Sequence, residues 1–370
     1  MFGLLESPTM KSPVSFAHIS SRRRVVGSGL IALDVLLNEH KSTVSSALGG
    51  SAGNVLAILA HMGWNSVPVA KVGTDSAAKR IRDEFEALNA DVQFLVEEGH
   101  FCTPVVFQLP GDAEKTHRFT FACPHCGRKR HFSYALDDYL GAPVLSAIES
   151  SDVYYFDRVT PLSLRLAEDY RARGAMVVFE PSTIGSDHAS FGRALKAAHM
   201  IKYADDRIED LRTFDLSSVA IEIQTSGKDG LKFRSPSSGD NWVYLAAYRA
   251  QHVADTSGSG DWCTAGMLYS LFSDRDAGST GDLTNHDLSK ALRFGQALAA
   301  LNCSYAGARG LAQQQGLDVI LEMASAVQGM TKVHFWRAER QLRMDTSIEK
   351  HHLAIEDRAY QRLCCEGLAF

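Results

Sequence analysis

Asp255-Thr256-Ser257-Gly258-Ser259-Gly260-Asp261 runs directly into the apolar stretch Trp262-Cys263-Thr264-Ala265-Gly266-Met267-Leu268-Tyr269-Ser270-Leu271-Phe272. Gly258 and Gly260 carry no Cβ, so the backbone can bend sharply there and turn its N–H groups toward an anion. The apolar stretch predicts a helix beginning near Asp261, and its N-terminal pole adds positive potential at the same place. An acid at that point is unexpected unless the site moves a proton beside a transferring phosphoryl group. The plainer alternative is a glycine-rich N-cap with Asp261 as an ordinary first-turn acid.

Outward from this stretch, short apolar runs alternate with helical periodicity. Val25–Gly29, Val67–Val72, Val153–Phe156, Met176–Phe179 and Val219–Ile223 read as buried strands. Val55–Met62, Ser76–Leu88 and Asp287–Ala306 read as helices, the second with a wet face of Arg80, Arg82, Asp83, Glu84 and Glu86. Alternating patterns within 92–122, notably Thr103–Leu109 and Lys115–Ala122, fit exposed antiparallel ribbons. This order predicts an α/β fold: a three-layer α/β/α core with a small β-sheet lid, the lid drawn from about 38–48 and 101–122. Residues 1–24 read as a loose leader, 25–324 as the main domain, and 325–370, rich in Arg, Glu and His, as a C-terminal extension.

The chain has 370 residues, 45% hydrophobic and 22% charged, with a formal charge of −5. That balance gives no reason to expect nucleic acid as a partner. No apolar run nears the ~18 residues of a membrane span, and Arg22-Arg23-Arg24 has no apolar signal core behind it. Seven scattered cysteines (102, 123, 126, 263, 303, 364 and 365) then suggest reduced thiols and a cytoplasmic location.

The heptad resembles the signature of the ribokinase-like (PfkB) carbohydrate kinase family, usually written Asp-Thr-x-Gly-Ala-Gly-Asp, with Ser259 in place of Ala. Four further landmarks follow the family order: Gly49-Gly50-x-x-x-Asn54, Val72-Gly73-Thr74-Asp75, Thr225-Ser226-Gly227-Lys228-Asp229-Gly230 and Gly307-Ala308. The resemblance spans roughly residues 25–323. It implies a Mg²⁺-ATP-dependent kinase that phosphorylates a sugar-like hydroxyl, with Asp261 as catalytic base and the N–H groups of Gly258, Ser259 and Gly260 as the anion hole. Phosphoryl transfer needs mainly positioning and charge stabilisation, which such a loop supplies. It also implies that Asp34, Gly49, Gly50 and Asn54 bind the sugar, Asp34 by accepting hydroxyl hydrogen bonds. Thr225, Ser226, Gly227, Gly230, Asn302, Gly307 and Ala308 are the implied nucleotide contacts. Asp255 either orders the loop, holds a monovalent cation such as K⁺, or is a turn-forming residue.

One departure concerns the metal. Where the family often carries Asn-x-x-Glu, this chain has Ala204-Asp205-Asp206-Arg207. Asp205, Asp206 and Glu180 are the remaining oxygen ligands for Mg²⁺, which keeps most of its waters. Separately, Cys123-Pro124-His125-Cys126-Gly127 has the form of a zinc knuckle. Cys123 and Cys126 would need two more ligands, from His117, His131, Cys102 or a second subunit; the alternative is a tight loop with two thiols. Arg128-Lys129-Arg130-His131 reads as a solvated turn or as a partner for substrate phosphates. His117-Arg118 either touches substrate or faces solvent on an edge strand. The lid ribbon offers an edge for a homodimer. The rival readings are a nucleoside kinase of the same fold and a nucleotide-binding pseudokinase or zinc-linked assembly protein.

Overall fold

The computed structural model describes residues 22–111, 117–129, 138–250, 252–273 and 283–329. Most of the expected leader, most of the C-terminal extension, and His131 lie outside the described residues. The chain begins with β1 (Arg24–Ser28), β2 (Ala32–Leu37), β3 (Thr43–Gly49), α1 (Ser51–His61), β4 (Asn65–Val72) and α2 (Ser76–Ala87). Next come β5 (Leu95–Glu97), β6 (Val105–Pro110), β7 (His117–Thr120), α3 (Gly141–Ala147), β8 (Val153–Phe156), α4 (Pro161–Ala172), β9 (Met176–Phe179) and α5 (His188–Ala197). The remainder is β10 (Met200–Ala204), β11 (Ile221–Thr225), β12 (Leu231–Arg234), β13 (Val243–Leu245), α6 (Ser259–Ser273), α7 (Asn285–Asn302), α8 (Gly310–Gln314) and α9 (Leu317–Gly329).

Nine strands form one sheet in the order β13-β12-β11-β10-β9-β8-β1-β4-β5. It is parallel from β11 to β5, and β12 and β13 close one edge as antiparallel strands. Its short apolar strands are buried on both faces because successive side chains leave a strand on opposite sides. In β8, Tyr154 and Phe156 pack with Leu166 and Tyr170 of α4 and Phe191 of α5. Tyr155 packs on the other face, in the core that α1, α6, α7 and α9 share through Leu56, Trp262, Leu298 and Ile320. The result is the three-layer arrangement expected from the alternating pattern. Among the described residues, no helix is long and apolar enough to cross a membrane.

A second sheet has the order β3-β2-β6-β7. Ala32–Leu37 is one of its two inner strands, so the small sheet reaches closer to β1 than residues 38–48 alone would suggest. Its centre is parallel rather than antiparallel, with Asp34 opposite Val106. The reason is connectivity: β3, α1, β4, α2 and β5 intervene between β2 and β6, so no hairpin constrains their direction. At the other end, α9 continues past residue 325 to Gly329, with Ala324 and Val327 buried.

Local signals set several element boundaries. Asp75 caps α2 by accepting from the Ala78 N–H at 3.0 Å, and its other carboxylate oxygen accepts from the Thr103 N–H at 3.1 Å. Gly73 sits where an added Cβ would lie 2.5 Å from the Phe101 carbonyl oxygen. The Val72–Asp75 turn therefore joins β4, α2 and the approach to β6.

Candidate active site

The site gathers at the N-terminal ends of α1 and α6, α1 being entered from β3 of the small sheet. Leu30, two residues beyond β1, donates its N–H to Asp157 at 2.9 Å, which fixes the exit toward the small sheet. In β2, Asp34 accepts from the Gly50 N–H at 3.2 Å. A Cβ on Gly49 would fall 2.0 Å from that carboxylate, so only glycine lets the acid lie against the β3–α1 junction. Asn54, in the second turn of α1, donates from Nδ2 to Asp261 at 2.8 Å. Its Oδ1 is buried with no protein hydrogen-bond partner. An acceptor so placed is costly unless a ligand donates to it. Asp34, Gly49, Gly50, Asn54 and Asp261, distant in sequence, are thus brought together.

The heptad forms the entry to α6. Gly260 is exposed, and Gly258, Ser259 and Asp261 are half-buried, so this backbone is open to a ligand. The first N–H groups of a helix have no intrahelical acceptors; that of Ser259 reaches the Thr256 carbonyl at a long 3.3 Å. Gly258 has φ +72°, and a Cβ there would lie 2.2 Å from the Ala308 carbonyl oxygen. That same oxygen accepts from Trp262 Nε1 at 3.1 Å. Protein crowds the Asp261 carboxylate, and this desolvation, with the charge of Glu180, pushes its pKa well above the usual carboxylate range. The Asn54 hydrogen bond and Lys202 oppose the rise.

Asn302 sits at the last residue of α7 and is fully buried. Its Nδ2 donates to the Ser257 carbonyl at 3.1 Å and its Oδ1 accepts from the Leu311 N–H at 3.1 Å. Both ends of the amide are committed to backbone, so Asn302 braces the heptad against 307–311 rather than offering its side chain to a nucleotide. Gly307 donates its N–H to Asp255 at 2.9 Å. Asp255 also accepts from Gln108 Nε2 at 2.6 Å, Ser257 N at 2.9 Å, Ser257 Oγ at 2.7 Å and His117 Nδ1 at 3.1 Å. Burial alone would raise its pKa, but these donors outweigh it and hold the carboxyl well below the usual range. A carboxylate has about four lone-pair sites. With five donors on Asp255, no lone pair remains for a monovalent cation, so a K⁺ ligand does not fit there. His117 thus turns inward to the heptad, whereas Arg118 is exposed.

Other side chains around the site belong to no motif. Lys202, in β10, is fully buried, bridges to Glu180 Oε1 and donates to the Gly260 carbonyl at 3.2 Å. Thr264 Oγ1 donates to Glu180 Oε2 at 2.6 Å, and the Tyr155 hydroxyl reaches the same oxygen at 3.3 Å. Burial by itself would lower the pKa of Lys202, but the charge and hydrogen bond of Glu180, together with Cys263 and Asp261, outweigh it and leave the ammonium above its ordinary value. The available signal was a lysine inside the otherwise apolar strand Met200-Ile201-Lys202-Tyr203-Ala204; buried charges need partners. Gln108 in Val105-Val106-Phe107-Gln108 is the same kind of signal.

Glu180 is thus already paired, while Asp205 and Asp206 are exposed just beyond β10. A Mg²⁺ that keeps most of its waters needs only one or two carboxylates besides phosphate oxygens. Oxygen donors of this kind at the end of β10 fit that requirement. Ala204 pairs with Thr225, so Asp205 and Asp206 share a strand end with the Thr225–Gly230 turn. In that turn Ser226 donates its N–H to the Gly230 carbonyl at 2.8 Å, and Gly227 is exposed. Gly230 has a structural reason to be glycine: a Cβ would lie 2.1 Å from the Leu245 carbonyl oxygen of β13.

The zinc reading loses its support. Among the described residues, no group of three or more His, Cys, Asp or Glu side chains could hold a metal. Cys123 is buried and Cys126 exposed, and His117 is engaged with Asp255. A closed tetrahedral site needs four ligands. Instead, Gly127 N–H to the Cys123 carbonyl and Cys123 N–H to the Arg128 carbonyl, both at 2.8 Å, close a tight loop with Arg128 and Lys129 exposed.

Comparison with known proteins agrees with this geometry. A protein from Mesorhizobium japonicum, "Bifunctional protein HldE", is 24% identical over 265 residues, covering 66% of this chain and 51% of that protein. The chain thus spans about half the length of that relative. A fructokinase with bound ATP from Xylella fastidiosa superposes with a TM-score of 0.67 at 16% identity, covering 82% of this chain and 98% of the other. A Burkholderia thailandensis nucleoside kinase in complex with inosine gives a TM-score of 0.62 at 17% identity, over 83% and 98%. The model of the pfkB family carbohydrate kinases matches residues 23–166 and 194–315, so the chain belongs to that family.

Proposed function

We propose that this chain transfers the γ-phosphate of ATP to a hydroxyl of a sugar or sugar-like substrate, with Asp261 as the base and the Gly258–Gly260 backbone as the anion hole. The observation that carries the reading is the Asn54–Asp261 hydrogen bond. It joins the segment expected to hold the sugar to the acid expected to take its proton. Asp34 and the unpartnered Oδ1 of Asn54 are the groups a sugar's hydroxyls would satisfy. Asp261, its proton affinity raised by burial and Glu180, is a stronger base than a solvent carboxylate. The open N–H groups at the start of α6 would receive the phosphoryl oxygens. Mg²⁺, when bound with ATP, would neutralise phosphate charge, with Asp205 or Asp206 holding its waters.

The nucleotide would lie along Thr225, Ser226 and Gly227 and the Gly307-Ala308 loop. Gly230 and Asn302 shape that ground without touching it. The decisive experiment is Asp261→Asn assayed with ATP and a panel of pentoses, hexoses, keto-sugar acids and nucleosides. Loss of the base should lower kcat by about 10²–10⁴-fold, with ATP affinity nearly unchanged. Unchanged turnover would remove the base assignment. The inosine-bound neighbour favours a nucleoside acceptor as the second reading, and the same panel separates the two.

A further inference from the structure

The clasp on Asp255 links the two sheets through the phosphate loop. Gln108 comes from β6 and His117 from β7, both in the small sheet, whereas Asp255 opens the heptad and Gly307 follows α7. Asp255 as a whole is 4% exposed. His117, Ser257 N and Ser257 Oγ meet at Oδ1; Gln108 and Gly307 N meet at Oδ2. Every one of these contacts points the positive end of an N–H or O–H dipole at the place a cation would need. A monovalent ion ligated by this carboxylate would have to displace at least one donor and then face the dipoles of the rest.

We infer that Gln108 and His117 are positioning residues that do at Asp255 what a bound monovalent cation would otherwise do, so that the heptad is ordered by the small sheet itself and needs no potassium. The carboxylate must be satisfied by donors for the loop to hold its shape, because Asp255 also fixes Ser257, next to Gly258, and Gly307, next to the Ala308 that packs on Gly258. Donors supplied by the chain are present at every potassium concentration. They also make the order of the anion loop depend on the small sheet being seated over it.

The inference rests on the phosphate-loop assignment above, and the test keeps the two apart. Melting of the nucleotide-free protein and ATP affinity are each measured in potassium chloride and in tetramethylammonium chloride at equal ionic strength. The wild-type protein should melt at the same temperature in both salts, and its ATP Kd should differ by less than about twofold. In Gln108→Ala/His117→Ala the carboxylate is uncovered, and potassium should tighten ATP binding by about tenfold or more relative to tetramethylammonium. A merely structural role would give a weaker protein that potassium does not rescue, and that result overturns the inference. So does a saturable rise of the wild-type melting temperature or ATP affinity with potassium, a comparison that needs no variant to fold. If ATP binds in neither salt, the phosphate-loop assignment fails, and the melting comparison still decides the clasp.

Discussion

Replacing Lys202 with Met tests how much of the site depends on one buried charge. The Lys202 side chain is 2% exposed and that of Glu180 14%, so neither end of the pair is screened as a surface pair would be. Met matches the length of the aliphatic stem and fills most of its space. What it removes is the ammonium bridging Glu180 to the Gly260 carbonyl. Glu180 would then face Asp261 with only Thr264 and Tyr155 as donors. Removing one partner of a buried pair costs about 3–5 kcal/mol, a large share of the ~5–15 kcal/mol that holds a domain folded. Urea unfolding followed by tryptophan fluorescence should show a lower midpoint with an unchanged slope. Glu180→Gln in the same background should recover much of the loss, with a coupling of about 2–3 kcal/mol in the double-mutant cycle. Lys202 also lowers the proton affinity of Asp261. The acid limb of the kcat profile should therefore move to higher pH in Lys202→Met. A loss below about 1 kcal/mol, the value of an exposed pair, or a coupling near zero would refute the reasoning.

Further expectations follow from single contacts. Gly258→Ala puts a Cβ 2.2 Å from the Ala308 carbonyl oxygen at φ +72°; isothermal titration should show ATP affinity reduced by more than tenfold, because a strained residue of this kind costs about 1–3 kcal/mol and the loop must shift. Asp34 has its pKa raised from 3.8 to about 7, chiefly by burial, with the Gly50 N–H and Arg309 opposing and Glu84 adding. A carboxyl that binds its proton more tightly when folded loses stability as pH rises through that interval. Asp34→Asn should accordingly flatten the fall in stability between pH 3.8 and about 7, seen in melts across pH, while weakening sugar binding. Gly295→Ala places a methyl 2.2 Å from the Cys263 carbonyl oxygen, between α7 and α6; overpacking of this kind costs about 1–3 kcal/mol and should appear as a lower melting temperature.

Much of the site was legible because glycine and acid positions have few alternative explanations. Gly258 and Gly260 flanking a helix start, with Asp261 inside the first turn, could be read as an anion loop from residue types alone. The order of Gly49-Gly50, Asn54 and Asp34 could likewise be read, and the fold joins them to Asp261. Gly230 and Asn302 have packing reasons that their sequence context does not display. A glycine required by the approach of β13 looks in sequence like one required by a ligand, and an amide that braces backbone looks like one that binds. Cys123-Pro124-His125-Cys126 matched a knuckle in spacing, but a four-ligand site is a property of three dimensions.

By itself, the sequence determined the alternation of buried strands and amphipathic helices, hence the layered core, and the chemistry of the heptad, because both follow from local periodicity and residue type. Only the tertiary structure decided what each buried charge pairs with. Lys202 meets Glu180 across 22 residues and His117 meets Asp255 across 138. Such pairings depend on which strands lie adjacent and which way each side chain leaves its strand. That is why a carboxylate open to a cation in the sequence meets, in the fold, donors from the small sheet as well as from its own loop and residue 307.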